Sequence, residues 1–200
     1  MKAIRLVSAV ALMLAACEEK ATPATDAVAV PAASDIAPCT EPVRKDVGFI
    51  APNAKDVFEI SAAGADCMQA SVLTTVRTAS GVLVWSHADL ASQTMAFAGI
   101  EQSGEKPDHA LHALMEAWAG EMSVGTSADA PDWPEGAARP EGPTGLGYFT
   151  DFTREDYLAI RKEGRRMLCH PAFMNRTQCV VYYDGNGAAP YATEYFDMRS

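Results

Sequence analysis

Ser71-Val-Leu-Thr-Thr-Val-Arg-Thr78 and Val82-Leu-Val-Trp-Ser86, joined by Ala79-Ser80-Gly81, decide the fold class. β-Branched residues crowd both runs, and a short loop with glycine separates them. That is the pattern of an antiparallel hairpin over residues 68–87. A second hairpin reads near the other end of the chain. Met167-Leu-Cys-His170 and Gln178-Cys-Val-Val-Tyr-Tyr183 form its strands, and Asp184-Gly-Asn-Gly187 marks a turn into a last strand over 189–196. Asp56-Val-Phe-Glu-Ile-Ser61 alternates acidic and apolar residues, so it reads as one more short strand.

Two helices lie between the hairpins. Pro107 suits a first helical position, and Asp108 beside it complements the helix dipole. Leu111, Leu114, Met115, Trp118, Ala119 and Met122 then repeat at helical spacing, which predicts a helix over 107–122. Thr153 precedes Glu155 and Asp156, and Arg161 and Lys162 precede Gly164. Acid at the start, base at the end and a terminal glycine predict a helix over 154–163. A further short helix is expected over His87-Ala-Asp-Leu-Ala-Ser-Gln-Thr-Met-Ala-Phe97. Residues 123–147 carry four prolines and five glycines with no period, the composition of a long functional or disordered loop. The order hairpin, helix, loop, helix, hairpin implies an α+β fold with one antiparallel sheet and two main helices.

The N-terminus carries an address. Lys2 and Arg5 precede an apolar run from Leu6 to Ala16 that is too short to span a bilayer, and Leu14-Ala15-Ala16-Cys17 follows. This segment resembles the signal peptide and lipobox of bacterial lipoproteins. The resemblance implies removal of residues 1–16 and lipidation of Cys17. With Glu18 next, it implies an outer-membrane destination facing the periplasm. It covers no part of the globular region. Residues 18–38, rich in Ala, Pro and Thr, read as a disordered tether, and residues 39–200 as one globular domain.

The full chain has 200 residues, with 16 basic and 26 acidic, a net charge of −10. Such a surface repels nucleic acid and anionic headgroups. Once Cys17 carries lipid, Cys39, Cys67, Cys169 and Cys179 remain, an even set in an oxidising compartment. Four cysteines allow three pairings. The sequence-local choice is Cys39–Cys67 with Cys169–Cys179, each expected to contribute roughly 3 kcal/mol. Their spacing fits no zinc finger.

Motifs for catalysis are sparse. His109, His112 and Glu116 share one polar arc of the 107–122 helix, with spacing suited to a metal, but no H-E-x-x-H occurs. Ser123 in Gly120-Glu-Met-Ser-Val-Gly125 has one residue too many before it for a nucleophile elbow. Asp184-Gly-Asn-Gly187 begins like a calcium loop and lacks the later ligands. His170 beside Cys169 suits a thiolate pair only if that cysteine is free. Two features suit partner binding. Arg161, Lys162, Arg165 and Arg166 form a basic patch fitted to an anionic partner such as a polysaccharide. Trp133, in Ala130-Pro-Asp-Trp-Pro-Glu-Gly136, fits either an interface anchor or a cap on the core.

These readings favour a membrane-tethered, non-catalytic binding or interaction module with an envelope protein or polysaccharide partner and no cofactor. A metal-dependent hydrolase using the His109/His112/Glu116 face and a structural envelope component are the alternatives.

Overall fold

Nine strands and three α-helices form from the residues that the computed structural model describes, 38–98, 100–142, 147–174 and 176–195. The signal segment, Cys17 and the tether up to residue 37 lie outside the described residues, as do 99, 143–146, 175 and 196–200.

The strands make two sheets where the sequence suggested one. The first is a four-stranded antiparallel meander of β1 (Val43–Val47), β2 (Asp56–Ala63), β3 (Ser71–Arg77) and β4 (Leu83–Leu90). The expected hairpin is its β3–β4 pair, with Thr74 opposite His87. After α1 (Ile100–Ser103) and α2 (Pro107–Glu121), the chain builds a second sheet in the order β5-β7-β8-β9-β6. Its strands are β5 (Ser123–Thr126), β6 (Gly147–Phe149), β7 (Arg166–Ala172), β8 (Arg176–Tyr183) and β9 (Gly187–Tyr195), with α3 (Arg154–Glu163) between β6 and β7. Each hairpin recruits its own neighbours, so the two never share a ladder.

The second sheet is the middle layer. Residues alternate across β7 and β8, as strand geometry requires. Leu168 and Val180 point into a core shared with Phe58, Ile60, Val72 and Val76 of the first sheet and Leu111, Met115 and Trp118 of α2. Met167, Cys179 and Val181 point the other way, into a cluster with Tyr157 and Ile160 of α3, Trp133 and Tyr191. A register shift in the β8–β9 pairing sets Cys179 opposite Ala192 and Val180 opposite Pro190. Tyr191 is thereby released from strict alternation and joins Ala192 in that second cluster.

The predicted helices match α2 and α3 closely. Thr153 caps α3 by accepting the Asp156 N–H at 3.2 Å, and Gly164 ends it with φ +65°. The helix expected over residues 87–97 does not form. His87 to Leu90 instead complete β4, and a 3-10 turn follows at Ala91–Gln93. Ala88 and Leu90 sit on the outer face and His87 and Asp89 on the inner one, so hydrophobicity is inverted and hides the period of two.

Among the described residues one disulfide is formed. Cys169 and Cys179 are directly paired across β7 and β8, and their sulfurs are bonded. The expected Cys39–Cys67 bond is absent, and both are thiols in this structure. Each thiol turns to a main-chain acceptor instead, Cys39 to the Gly64 carbonyl and Cys67 to the Cys39 carbonyl, both at 3.7 Å.

Candidate functional site

The proline- and glycine-rich stretch after α2 is pinned to α3 and the second sheet by its own backbone polar groups. Ser127 donates from Oγ to the Ile160 carbonyl at 2.6 Å and accepts the Arg165 N–H at 2.9 Å. Arg161 Nε donates to the Ala130 carbonyl, the Tyr157 hydroxyl to Pro131, and Arg154 to Trp133. The Glu141 N–H bonds the Asp132 carbonyl at 2.7 Å, and the Tyr148 N–H bonds that of Pro140 at 2.9 Å. The loop expected from residue 123 thus opens with strand β5 and a 3-10 turn at Ser127–Asp129, and its remaining irregular part gains partners for main-chain groups that burial would otherwise leave unsatisfied.

The loop overhangs one face of the second sheet and encloses a cavity of about 530 Å3. Its floor is Ser123 of β5, Met167 and Cys169 of β7, and Thr177 and Cys179 of β8. Its rim carries Asp129, Asp132, Glu141, Tyr148 and Arg161. Arg161 lies 3.6 Å from Asp132, so part of the rim charge is already paired. The Asp129 carboxylate accepts both the Thr126 N–H at 3.0 Å and the Thr126 hydroxyl at 2.9 Å, and these bonds hold its pKa below the usual carboxylate range. The mouth is acidic and the floor mixes Met167 and the disulfide with the hydroxyls of Ser123 and Thr177, within the size range of small-ligand sites.

A second cluster joins the two sheets. The Trp85 indole N–H donates to His170 Nε2 at 3.2 Å, and His170 Nδ1–H donates to the Pro171 carbonyl at 2.8 Å. Both ring nitrogens are used, which selects the neutral Nδ1–H tautomer. Burial drives the His170 pKa down to about 4. His87 lies tilted beside it with ring centroids 5.9 Å apart and meets the buried Asp89 at 3.3 Å. Asp89 also accepts the Phe173 N–H at 3.2 Å, while its Oδ2 finds no partner among the described residues. Phe173 has φ +50°, so this carboxylate helps hold a strained turn. The histidines here are occupied by framework contacts, not poised over an open cleft.

Of the other residues singled out from sequence, His109, His112 and Glu116 line one open hollow of about 390 Å3 with Thr40 and Glu41, and the rest scatter. His112 Nε2 lies 3.7 Å from Glu116, and His109 lies 3.9 Å from its neighbour Asp108, all on the outer side of α2. Among the described residues no group of three His, Cys, Asp or Glu is placed to hold a metal ion. The four basic residues do not act as one surface. Arg166 donates to the Gly48 and Phe49 carbonyls, Arg165 stacks on Tyr183 and pairs with Glu163, and Arg161 serves the loop. Lys162 is exposed on α3. Trp133 takes the capping role. It is 9% exposed, packs edge-on to Tyr157 at 5.5 Å and donates to the Ala137 carbonyl at 2.9 Å. Sequence reasoning located the loop but missed the rim acids, because a cavity brings together residues whose spacing carries no motif. Compared with known proteins, the chain matches no family model, no curated protein and no solved structure.

Proposed function

We propose that this protein is an envelope lipoprotein, anchored through Cys17 in the outer membrane and facing the periplasm, whose folded part is a binding module. The cavity under the 123–142 loop is its binding site. One observation carries this reading. A loop that, beyond its opening strand β5 and one 3-10 turn, has little regular structure is nonetheless anchored at many points around a concave, mixed-polarity space. Trp133 and the arginines then serve the binding site indirectly, by fixing its wall. The two-disulfide form of the domain belongs to the same reading, since export exposes the thiols to oxidants.

A photoreactive amino acid at Glu141, on the rim, tests the site in living cells. The reading expects a specific crosslinked species, envelope protein or polysaccharide, that disappears when Met167→Trp fills the floor. The same probe at Asp184, in the distant β8–β9 turn, serves as control. Equal crosslinking from both positions, or no effect of Met167→Trp in a folded variant, overturns it. Incorporation of a labelled fatty acid at Cys17 tests the anchor separately.

A further inference from the structure

Nine large apolar side chains are exposed among the described residues, and six of them gather at one end of the first sheet. Ladder register defines that end. Ala63 pairs with Ser71 and Ser71 with Leu90, so the close of β2, the start of β3 and the close of β4 lie side by side. Met68 belongs to the 3-10 turn Cys67–Gln69 between β2 and β3, and Leu73 and Leu90 lie on the outer face of β3 and β4. Met95 follows the 3-10 turn Ala91–Gln93. Phe173 and Met174 reach the same end from the β7–β8 turn, because the Phe173 N–H is tied to Asp89 of β4 at 3.2 Å. Gln93, Phe173, Met174 and Arg176 together line an open hollow of about 380 Å3. The other three lie apart. Val82 and Leu83 stand at the far end of the sheet, about 20 Å along β3 by strand geometry, and Phe149 on the edge strand β6.

We infer that this end of the folded domain is a membrane-docking surface, seated on the bilayer that holds the Cys17 lipid. The inference rests on the lipoprotein reading, which supplies the anchor. The place where the tether enters the fold carries the first argument. Pro38 bridges Ala63, and the Cys39 N–H donates to the Ala62 carbonyl at 2.9 Å. The Cys67 thiol donates to the Cys39 carbonyl at 3.7 Å, so the chain leading from Cys17 enters the fold beside Met68. Only residues 18–37 lie between, and the tether expected from their composition spans about 25 Å on average. A lipid at Cys17 therefore holds this end close to the bilayer and makes docking an intramolecular event.

Charge carries the second argument. The chain has a net charge of −10, which anionic headgroups repel. The segments that bear the six apolar side chains, 66–74, 88–95 and 172–176, hold Asp66, Asp89 and Arg176 as their only charged residues. Asp89 is buried against His87, which leaves one anion and one cation on the surface. An acidic protein thus keeps a near-neutral, apolar face at the root of its tether. Side chains such as Leu, Met and Phe enter the headgroup boundary, and binding there grows with the apolar area buried. An exposed apolar cluster of this kind marks a surface that is covered in use. Docking stands β3 and β4 on the bilayer, with the Val82 turn directed away from it.

The test uses the full chain purified from cells in detergent and reconstituted into vesicles of phosphatidylethanolamine with a minor share of phosphatidylglycerol. A trace phospholipid carries a diazirine on its acyl chain, and peptide mapping after illumination finds where it attaches. Adducts are expected at Met68, Leu90, Met95 and Met174, and not at Val82 or Phe149. Met68→Asp combined with Met174→Asp, both in exposed turns, is expected to cut labelling at Leu90 and Met95 about tenfold. Val82→Asp is expected to leave it unchanged, and near-UV circular dichroism matching the parent shows that each variant is folded. Even labelling over the domain, labelling centred on Val82, a patch left unlabelled because a second copy covers it, or no effect of the folded double variant overturns the inference. The same mapping reads the mass of the peptide that begins at Cys17. A Cys17 without lipid removes the lipoprotein reading and this inference with it. A lipidated Cys17 with adducts elsewhere removes this inference alone.

Discussion

Trp85 Nε1 and His170 Nε2 meet at 3.2 Å across the boundary between the two sheets. The bond spans 85 positions of sequence and places a neutral imidazole where four aromatic or charged neighbours converge. Phe58, Trp85 and His87 all have ring centroids within 6.4 Å of His170, and Asp89 pairs with His87 behind them.

That arrangement predicts acid sensitivity. His170 titrates near 6.5 when unfolded and at about 4 when folded, so the unfolded chain binds more protons between those values. Stability from this group is fully present above pH 6.5 and is lost as the pH falls toward 4. The loss is about 3 kcal/mol at full protonation. His87 faces the same ring, and Asp89 pairs with His87. Urea midpoints measured from pH 7 to pH 4 are expected to fall, and His170→Gln is expected to flatten that fall while lowering stability throughout. An unchanged slope in His170→Gln would assign the acid sensitivity elsewhere.

Trp133 is worth more to the fold than its surface setting in sequence suggests. Its indole closes over Tyr157, which itself stacks on Tyr191 at 4.5 Å. Trp133→Ala removes that lid and frees the Ala137 carbonyl, a loss of about 3–4 kcal/mol by the scale of buried aromatic truncations. Trp133→Phe keeps most of the packing and loses the hydrogen bond, about 1 kcal/mol. Chemical denaturation should rank the three proteins in that order. A Trp133→Ala protein as stable as the parent would mean that the indole contributes nothing to the second cluster.

Helix α3 offers a cleaner test of local rules. Thr153→Ala leaves the Asp156 N–H without its cap and is expected to cost about 1 kcal/mol. Gly164→Ala forces a side chain into the left-handed conformation, with open space around it, and should cost a similar amount through backbone strain alone. The two sites sit at opposite ends of the helix, so their effects should add. Thermal unfolding of the double variant checks this.

What could be read in advance follows from how local each signal is. The α3 boundaries come from side chains acting on their own backbone, so Thr153 and Gly164 reveal them. The β3–β4 hairpin shows itself through its β-branched runs. β1 escaped notice because Val43-Arg-Lys-Asp-Val47 places three charges in an edge strand, where solvent accepts them. The division into two sheets was not legible, since it depends on Phe58 and Leu168 meeting one core from different ladders. The cavity was hidden for the same reason. Its rim joins Asp132 and Glu141 of the loop to Arg161 of a helix, and no spacing rule connects them.

The charges of β1 lead to a last prediction. Lys45 shares the inward register of Val43 and Val47, yet its ammonium reaches the Ala119 carbonyl at 3.2 Å. Helix α2 has no basic residue in its last turn, so this strand supplies the cation that the helix terminus lacks. The same lysine interrupts the apolar face that Val43 and Val47 give the outermost strand of the first sheet, a charge that discourages edge pairing. Lys45→Val therefore has two expected effects that separate by method. Unfolding free energy falls by about 0.5–1 kcal/mol at any protein concentration. Light scattering rises with concentration as unprotected edges pair. Lys45→Arg should restore both the terminal charge and the monodisperse state. If Lys45→Val stays monodisperse while losing the stability, the lysine acts only on the helix. If it self-associates with stability intact, edge protection is its whole role.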